Sequence, residues 1–245
     1  MELFILGIGL YFVRFTNKDT PRVILMTRLS INEIRFTGYA GIAAALLVGI
    51  GEFLLHFDSL ARFEGYQFMV DISESRMNWG HFIAVVGMPF YFIGCWHIYL
   101  QLREAGPRLA FTAFVVGSVG FLFGAIWMGS RAMIGSLVHH EELVAATNLV
   151  SLYEMRYESL LQVTRVTMLV LSAIYVYLVL KGGSSYPRWM ACLNPFLLIV
   201  ASFILYTVAP SIGKYPMPIA LNVAFFIFFT TSLIFSGNKS KGESI

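Results

Sequence analysis

Charge is what this sequence has least of. Only 13% of its 245 residues are charged and 58% are hydrophobic, with a mean hydropathy of +0.73, whereas soluble domains run near 25% charged. From Phe36 to Gly51 no charged residue occurs at all. Such a chain cannot cover itself with a solvated surface, so an ordinary soluble domain is excluded. Cysteine is scarce too: Cys95 and Cys192 have neither metal nor redox spacing and read as reduced packing thiols. No strand-like alternation of apolar and polar residues is present, which excludes a membrane barrel. A helical His-Glu-x-x-His, a nucleophile elbow and a phosphate loop in strand–helix context are also missing. With no basic tract either, nucleic acid is not a partner.

What is present are apolar windows. A helix needs roughly 20 mainly apolar residues to cross a hydrocarbon core of about 30 Å, and six windows qualify: residues 36–57, 79–102, 110–137, 159–180, 189–210 and 216–235. Backbone groups in lipid must be satisfied within the segment, so these are helices. The reading is an all-α, polytopic membrane protein, a six-helix bundle (36–236) between an N-terminal cytoplasmic or interfacial segment (1–35) and a cytoplasmic tail (237–245). Residues 1–13, "MELFILGIGLYFV", are too short to span and lack a basic leader and a cleavage site, so they suit a short interfacial helix rather than a signal peptide. Met26 is an alternative natural start.

Lysine and arginine orient the bundle. Eleven of seventeen fall on one side: Arg14, Lys18, Arg22, Arg28, Arg35, Arg103, Arg108, Lys181, Arg188, Lys239 and Lys241. Arg62, Arg76, Arg156 and Lys214 fall on the other. The positive-inside rule then puts both termini in the cytoplasm of a plasma or inner membrane. The connections 58–78 and 138–158, which face outward in this scheme, are long and carry Leu60, Phe63, Phe68, Met69 and Ile72, and Val144, Leu149, Val150 and Tyr153, at helical spacing. They read as amphipathic outer elements able to act as lids.

The few polar residues inside the windows carry the functional reading. Glu52 lies about 7 Å and Arg165 about 9 Å below the outer ends of their helices, at 1.5 Å per residue. Matching depth predicts a Glu52–Arg165 contact, because a paired charge offsets part of its desolvation cost. Glu158, Gln162 and Arg165 stand at i, i+4 and i+7, on one face of a helix. Arg131 near an outer helix end is expected to snorkel beside Trp127. His81 opens the second helix at the same surface, and His139 and His140 follow the third. His97, next to Trp96, suits the inner interface. In the third helix, Gly120-x-x-x-Gly124 is a close-approach pattern.

These residues predict an outward-facing polar cavity for a small anionic or amphiphilic molecule, with membrane lipid as the surrounding partner. Glu52, His81, Arg131, Glu158, Gln162 and Arg165 would hold the ligand, walled by Tyr157, Trp79 and Phe82. No cofactor is needed for this. One alternative is a Zn²⁺-dependent hydrolase of lipid-like substrates using Glu52, His56 and His81, the first two at i, i+4, with His139 or His140 as other third ligands. A b-type haem held by His56 and His81 lacks the inner histidine pair that transmembrane electron transfer requires. A purely structural subunit, its polar residues serving as interhelical glue, is the remaining reading.

Overall fold

A computed structural model describes residues 30–60, 67–140 and 149–235, and among these every regular element is helical. The helices are α1 (Ile31–His56), α2 (Glu74–Leu102), α3 (Pro107–Val138), α4 (Leu149–Lys181), α5 (Pro195–Val208) and α6 (Ala220–Phe235). Short 3-10 turns precede α2 (Gln67–Asp71), α5 (Arg188–Leu193) and α6 (Met217–Ile219), and one helical turn, Pro210–Gly213, follows α5.

Local chemistry sets most boundaries. Ser30 accepts from the Glu33 amide while the Glu33 carboxylate accepts from the Ser30 amide, a capping box that starts α1 before its apolar run. Ser73 caps α2 and Asn194 caps α5 by accepting from the amides of Arg76 and Leu197. Pro107 and Pro195 occupy first turns, where the missing N–H costs nothing. Gly182 and Gly183, at φ +88° and +87°, turn the chain after α4 in a conformation that side chains disfavour. At the other end of α1, the Arg76 guanidinium donates to the carbonyls of Phe53 (3.4 Å) and Phe57 (2.6 Å), satisfying acceptors that the helix leaves open.

Successive helices run in opposite directions. Gly51 meets Gly80 so closely that a Cβ on Gly51 would lie 2.5 Å from the Gly80 carbonyl oxygen, and Gly41 meets Gly94 farther along the same α1–α2 seam. Next, α2 packs on α3 and α3 on α4, while α1 packs on α6, which carries α5 on its flank. The core between them is aromatic: Tyr91 stacks on Phe121 with ring centroids 3.8 Å apart, and Phe225, Phe228 and Phe229 of α6 are fully buried beside them.

Five segments are long and apolar enough to cross a membrane: Ile31–His56, Glu74–Leu102, Pro107–Val138, Leu152–Lys181 and Met217–Phe235. The expected fifth window, 189–210, is divided instead. Asn194-Pro195 and Ala209-Pro210 interrupt it, leaving α5 only 14 residues, about 21 Å of helix. Residues 1–29 and 236–245 lie outside the described residues, as do Phe63 and Val144 of the outer connections. Of the expected amphipathic positions, Phe68, Met69 and Ile72 are buried against the bundle, whereas Leu60 is exposed.

A candidate buried polar site

The end of the bundle where α1 finishes gathers polar side chains from five helices. Glu52 faces inward from α1, and its carboxylate accepts from the Asn222 amide of α6. The Asn222 carbonyl oxygen in turn accepts from the Tyr91 hydroxyl of α2 at 2.6 Å. One turn after Glu52, His56 places Nδ1 3.7 Å from Glu52 Oε1. Arg131 of α3 acts electrostatically on both Glu52 and His56. It donates to the Tyr157 hydroxyl of α4 at 2.7 Å, with its guanidinium over the rings of Tyr157 and Phe68. Trp127 stacks on Tyr157, its centroid 5.1 Å away, and touches the His56 ring at 5.3 Å. Glu52, His56, Arg131, Tyr157 and Asn222 are all buried.

Two features of this cluster are unusual for a packed core. His56 Nε2 and Trp127 Nε1 are buried polar atoms with no hydrogen-bond partner among the described residues, although buried polar groups are nearly always paired. Beside them α3 leaves room. A Cβ at Gly120 would collide with Thr167 and Met168 of α4, so that glycine serves close approach. Gly124, one turn nearer the site, is buried, yet a Cβ there would meet nothing within 4 Å. The two glycines of one motif thus do different things: the first joins two helices and the second borders a space.

Several expected residues stand elsewhere. No ion pair or hydrogen bond joins Glu52 and Arg165: Glu52 is buried and bonded to Asn222, whereas Arg165 is exposed. The adjacent Thr164 is the residue that α4 turns inward, and a helix rotates 100° per residue, so Arg165 is carried outward. Glu158 and Gln162 do share the Arg165 face, and all three are exposed. Arg131 does not snorkel; it is 8% exposed, held by Tyr157 and Phe68. Tyr157 is buried against Arg131, whereas Trp79 and Phe82 are 65% and 62% exposed. Asn222 and Tyr91 join the site without sequence warning, since single neutral residues in apolar stretches carry no pattern, while Phe68 comes to it from the patterned outer connection.

The histidines separate. His81 turns toward Gly129 of α3, with Cε1 3.8 Å from where a Cβ of Gly129 would stand, and its Nδ1 is buried without a partner among the described residues. His139 Nε2 instead lies 3.1 Å and 2.9 Å from the carbonyls of Met69 and Ile72, tying down the turn before α2. Among the described residues no three His, Cys, Asp or Glu side chains form a group able to hold a metal ion. Glu52 and His56 are adjacent, but neither His81 nor His139 joins them.

His97 is fully buried within the bundle. Its Nε2 lies 2.8 Å from Ser232 Oγ, which is 2.7 Å from the Tyr186 hydroxyl, and its Nδ1 is 3.0 Å from the Ile34 carbonyl. A carbonyl only accepts, so Nδ1 carries the proton, Nε2 accepts from Ser232, and Tyr186 donates to Ser232. Burial raises the Tyr186 hydroxyl well above its usual pKa, which keeps it a donor. Between this far-end network and the Glu52 cluster lie Phe225, Phe228 and Phe229, with no polar side chain among the three.

The fold and its inward-facing charges define a class: all-α polytopic bundles with a polar cluster enclosed near one end. The particular family follows from sequence, for residues 26–239 match the profile described as "Family of unknown function (DUF6796)", and the chain belongs to that family. No curated protein and no solved structure matches the chain.

Proposed function

We propose that the Glu52–His56–Arg131 cluster is a one-sided binding site, embedded in the membrane, for a small amphiphile with an acidic head group. The observation that carries this reading is the conjunction of two unpartnered buried nitrogens, His56 Nε2 and Trp127 Nε1, with the open space beside Gly124. An acid suits that setting. Its carbonyl or phosphoryl oxygen accepts from the Trp127 N–H, its acidic hydroxyl faces His56 Nε2, and Arg131 supplies the compensating charge. Phe121 and Met128, buried one turn on either side of Gly124, offer an apolar lining for the tail.

Binding from one side is favoured over transport because the aromatic layer of Phe225, Phe228 and Phe229 separates this cluster from the His97 network. The lysine and arginine distribution supports an outward-facing site, with both termini cytoplasmic. The test is native mass spectrometry of the protein purified in mild detergent. A bound acidic amphiphile is expected, lost in Arg131→Gln and retained in the surface control Arg188→Gln. Protein mass alone in all three samples would refute the proposal.

A further inference from the structure

The bundle is closed unevenly around α4. Near the C-terminal end of α4, Ser172 accepts from the Phe196 amide at the start of α5, Tyr175 packs on Phe228 of α6, and its hydroxyl donates to the Met190 carbonyl. Toward the polar site the same face of α4 is open. Residues 158, 165 and 172 recur every seven positions and so share one stripe, yet Ser172 is buried whereas Arg165 and Glu158 are exposed, as are Gln162 and Leu169 beside them. None of Glu158, Gln162 and Arg165 has a hydrogen-bond or ionic partner among the described residues. Tyr157, on the neighbouring face of α4, reaches Arg131 inside the site. The stripe, next to the face that carries Tyr157, is therefore left uncovered by the described residues, a gap in the packing on this side of α4. The helices beyond it, α5 and α6, carry no charged side chain.

We propose that this gap is a lateral portal through which an acidic amphiphile already dissolved in the membrane reaches the site. This rests on the binding reading above and adds the route and the source of the ligand. Arg165 receives the acid group, Gln162 passes it toward Tyr157 and Arg131, and the tail slides along α5 and α6. An arginine facing lipid in a spanning helix costs roughly 2.5–3.5 kcal/mol at the bilayer centre, so its presence needs a purpose. Electrostatics favour the membrane over water as the source. Glu158 lies seven residues nearer the helix start, about 10 Å, so an anion arriving from the aqueous end meets a carboxylate before it meets Arg165.

Trp127 is the reporter. The full chain in phosphatidylcholine nanodiscs is mixed in a stopped-flow instrument with vesicles carrying dibrominated stearic acid, or with bromoacetate in water. Trp127→Phe supplies the background. Expected are quenching of Trp127 by the membrane-borne acid only, a quenching rate about tenfold lower in Arg165→Gln and Gln162→Leu, and an unchanged final amplitude in both. Arg131→Gln should lose the amplitude. Equal rates in wild type and both stripe variants, or equal quenching by bromoacetate, would overturn the portal and leave the binding site standing. Absence of Trp127 quenching by either acid would overturn both.

Discussion

Asn222 holds the site together. It donates to Glu52 and accepts from Tyr91, so one amide satisfies an acid of α1 and a hydroxyl of α2. Asn222→Leu strands both partners in a buried setting, where an unmet polar group costs about 1–3 kcal/mol. Thermal unfolding in detergent should therefore drop markedly for Asn222→Leu and partly recover when Glu52→Gln is added. Strict additivity of the two changes would show that the contact carries no energy. Arg131 makes a second case. Its planar guanidinium stacks between Tyr157 and Phe68 while donating to the Tyr157 hydroxyl, a combination that an ammonium cannot reproduce. Arg131→Lys should behave nearly as badly as Arg131→Gln in ligand retention, whereas wild-type retention by the lysine variant would reduce Arg131 to a point charge.

The distinction among elements is sharpest on α3. Gly120 and Gly124 form one sequence motif, but only the first has an atom of α4 against it. Gly120→Ala forces a methyl into Thr167 and Met168 and should destabilise by about 1–3 kcal/mol, the usual cost of overpacking. Gly124→Ala meets nothing and gains helix propensity, so it should be neutral or stabilising by up to about 1 kcal/mol, while Gly124→Leu should fold and displace the ligand. Comparable unfolding temperatures for the Gly120→Ala and Gly124→Ala variants would contradict the open space. Composition revealed that this helix packs tightly, but not which glycine does so, because close approach depends on what the neighbouring helix presents. The same limit explains Arg165. Its depth was legible from residue counting, but depth fixes height alone, and the rotation of α4 that turns Thr164 inward is set by packing with α3.

For the whole molecule, apolar length was the legible quantity. Three windows became long helices within about five residues of their expected limits, the fourth began ten residues earlier than expected, at Leu149, and the sixth became α6 with its preceding turn. The fifth carried enough hydrophobicity, and the prolines at 195 and 210 were visible, yet hydropathy alone ignores the missing amide hydrogens that end a helix. The candidate site was half legible: Glu52, His56 and Arg131 stood out as charge in an apolar chain, whereas their common focus required the way α1, α3 and α4 pack around one end of the bundle. Sidedness is a separate expectation, checked by an epitope tag at the C-terminus. The tag should become accessible to antibody only after cells are permeabilised.

The proposed function requires the space beside Gly124 to be occupied in the working protein. An experimental structure of the full chain in nanodiscs of native lipid, at a resolution that shows side chains, tests this most directly. The expected map holds elongated density beside Gly124, with its polar end within hydrogen-bonding distance of His56 Nε2 or Trp127 Nε1. A map with Thr164 collapsed onto Gly124, and both nitrogens bonded to groups of the chain itself, would contradict it.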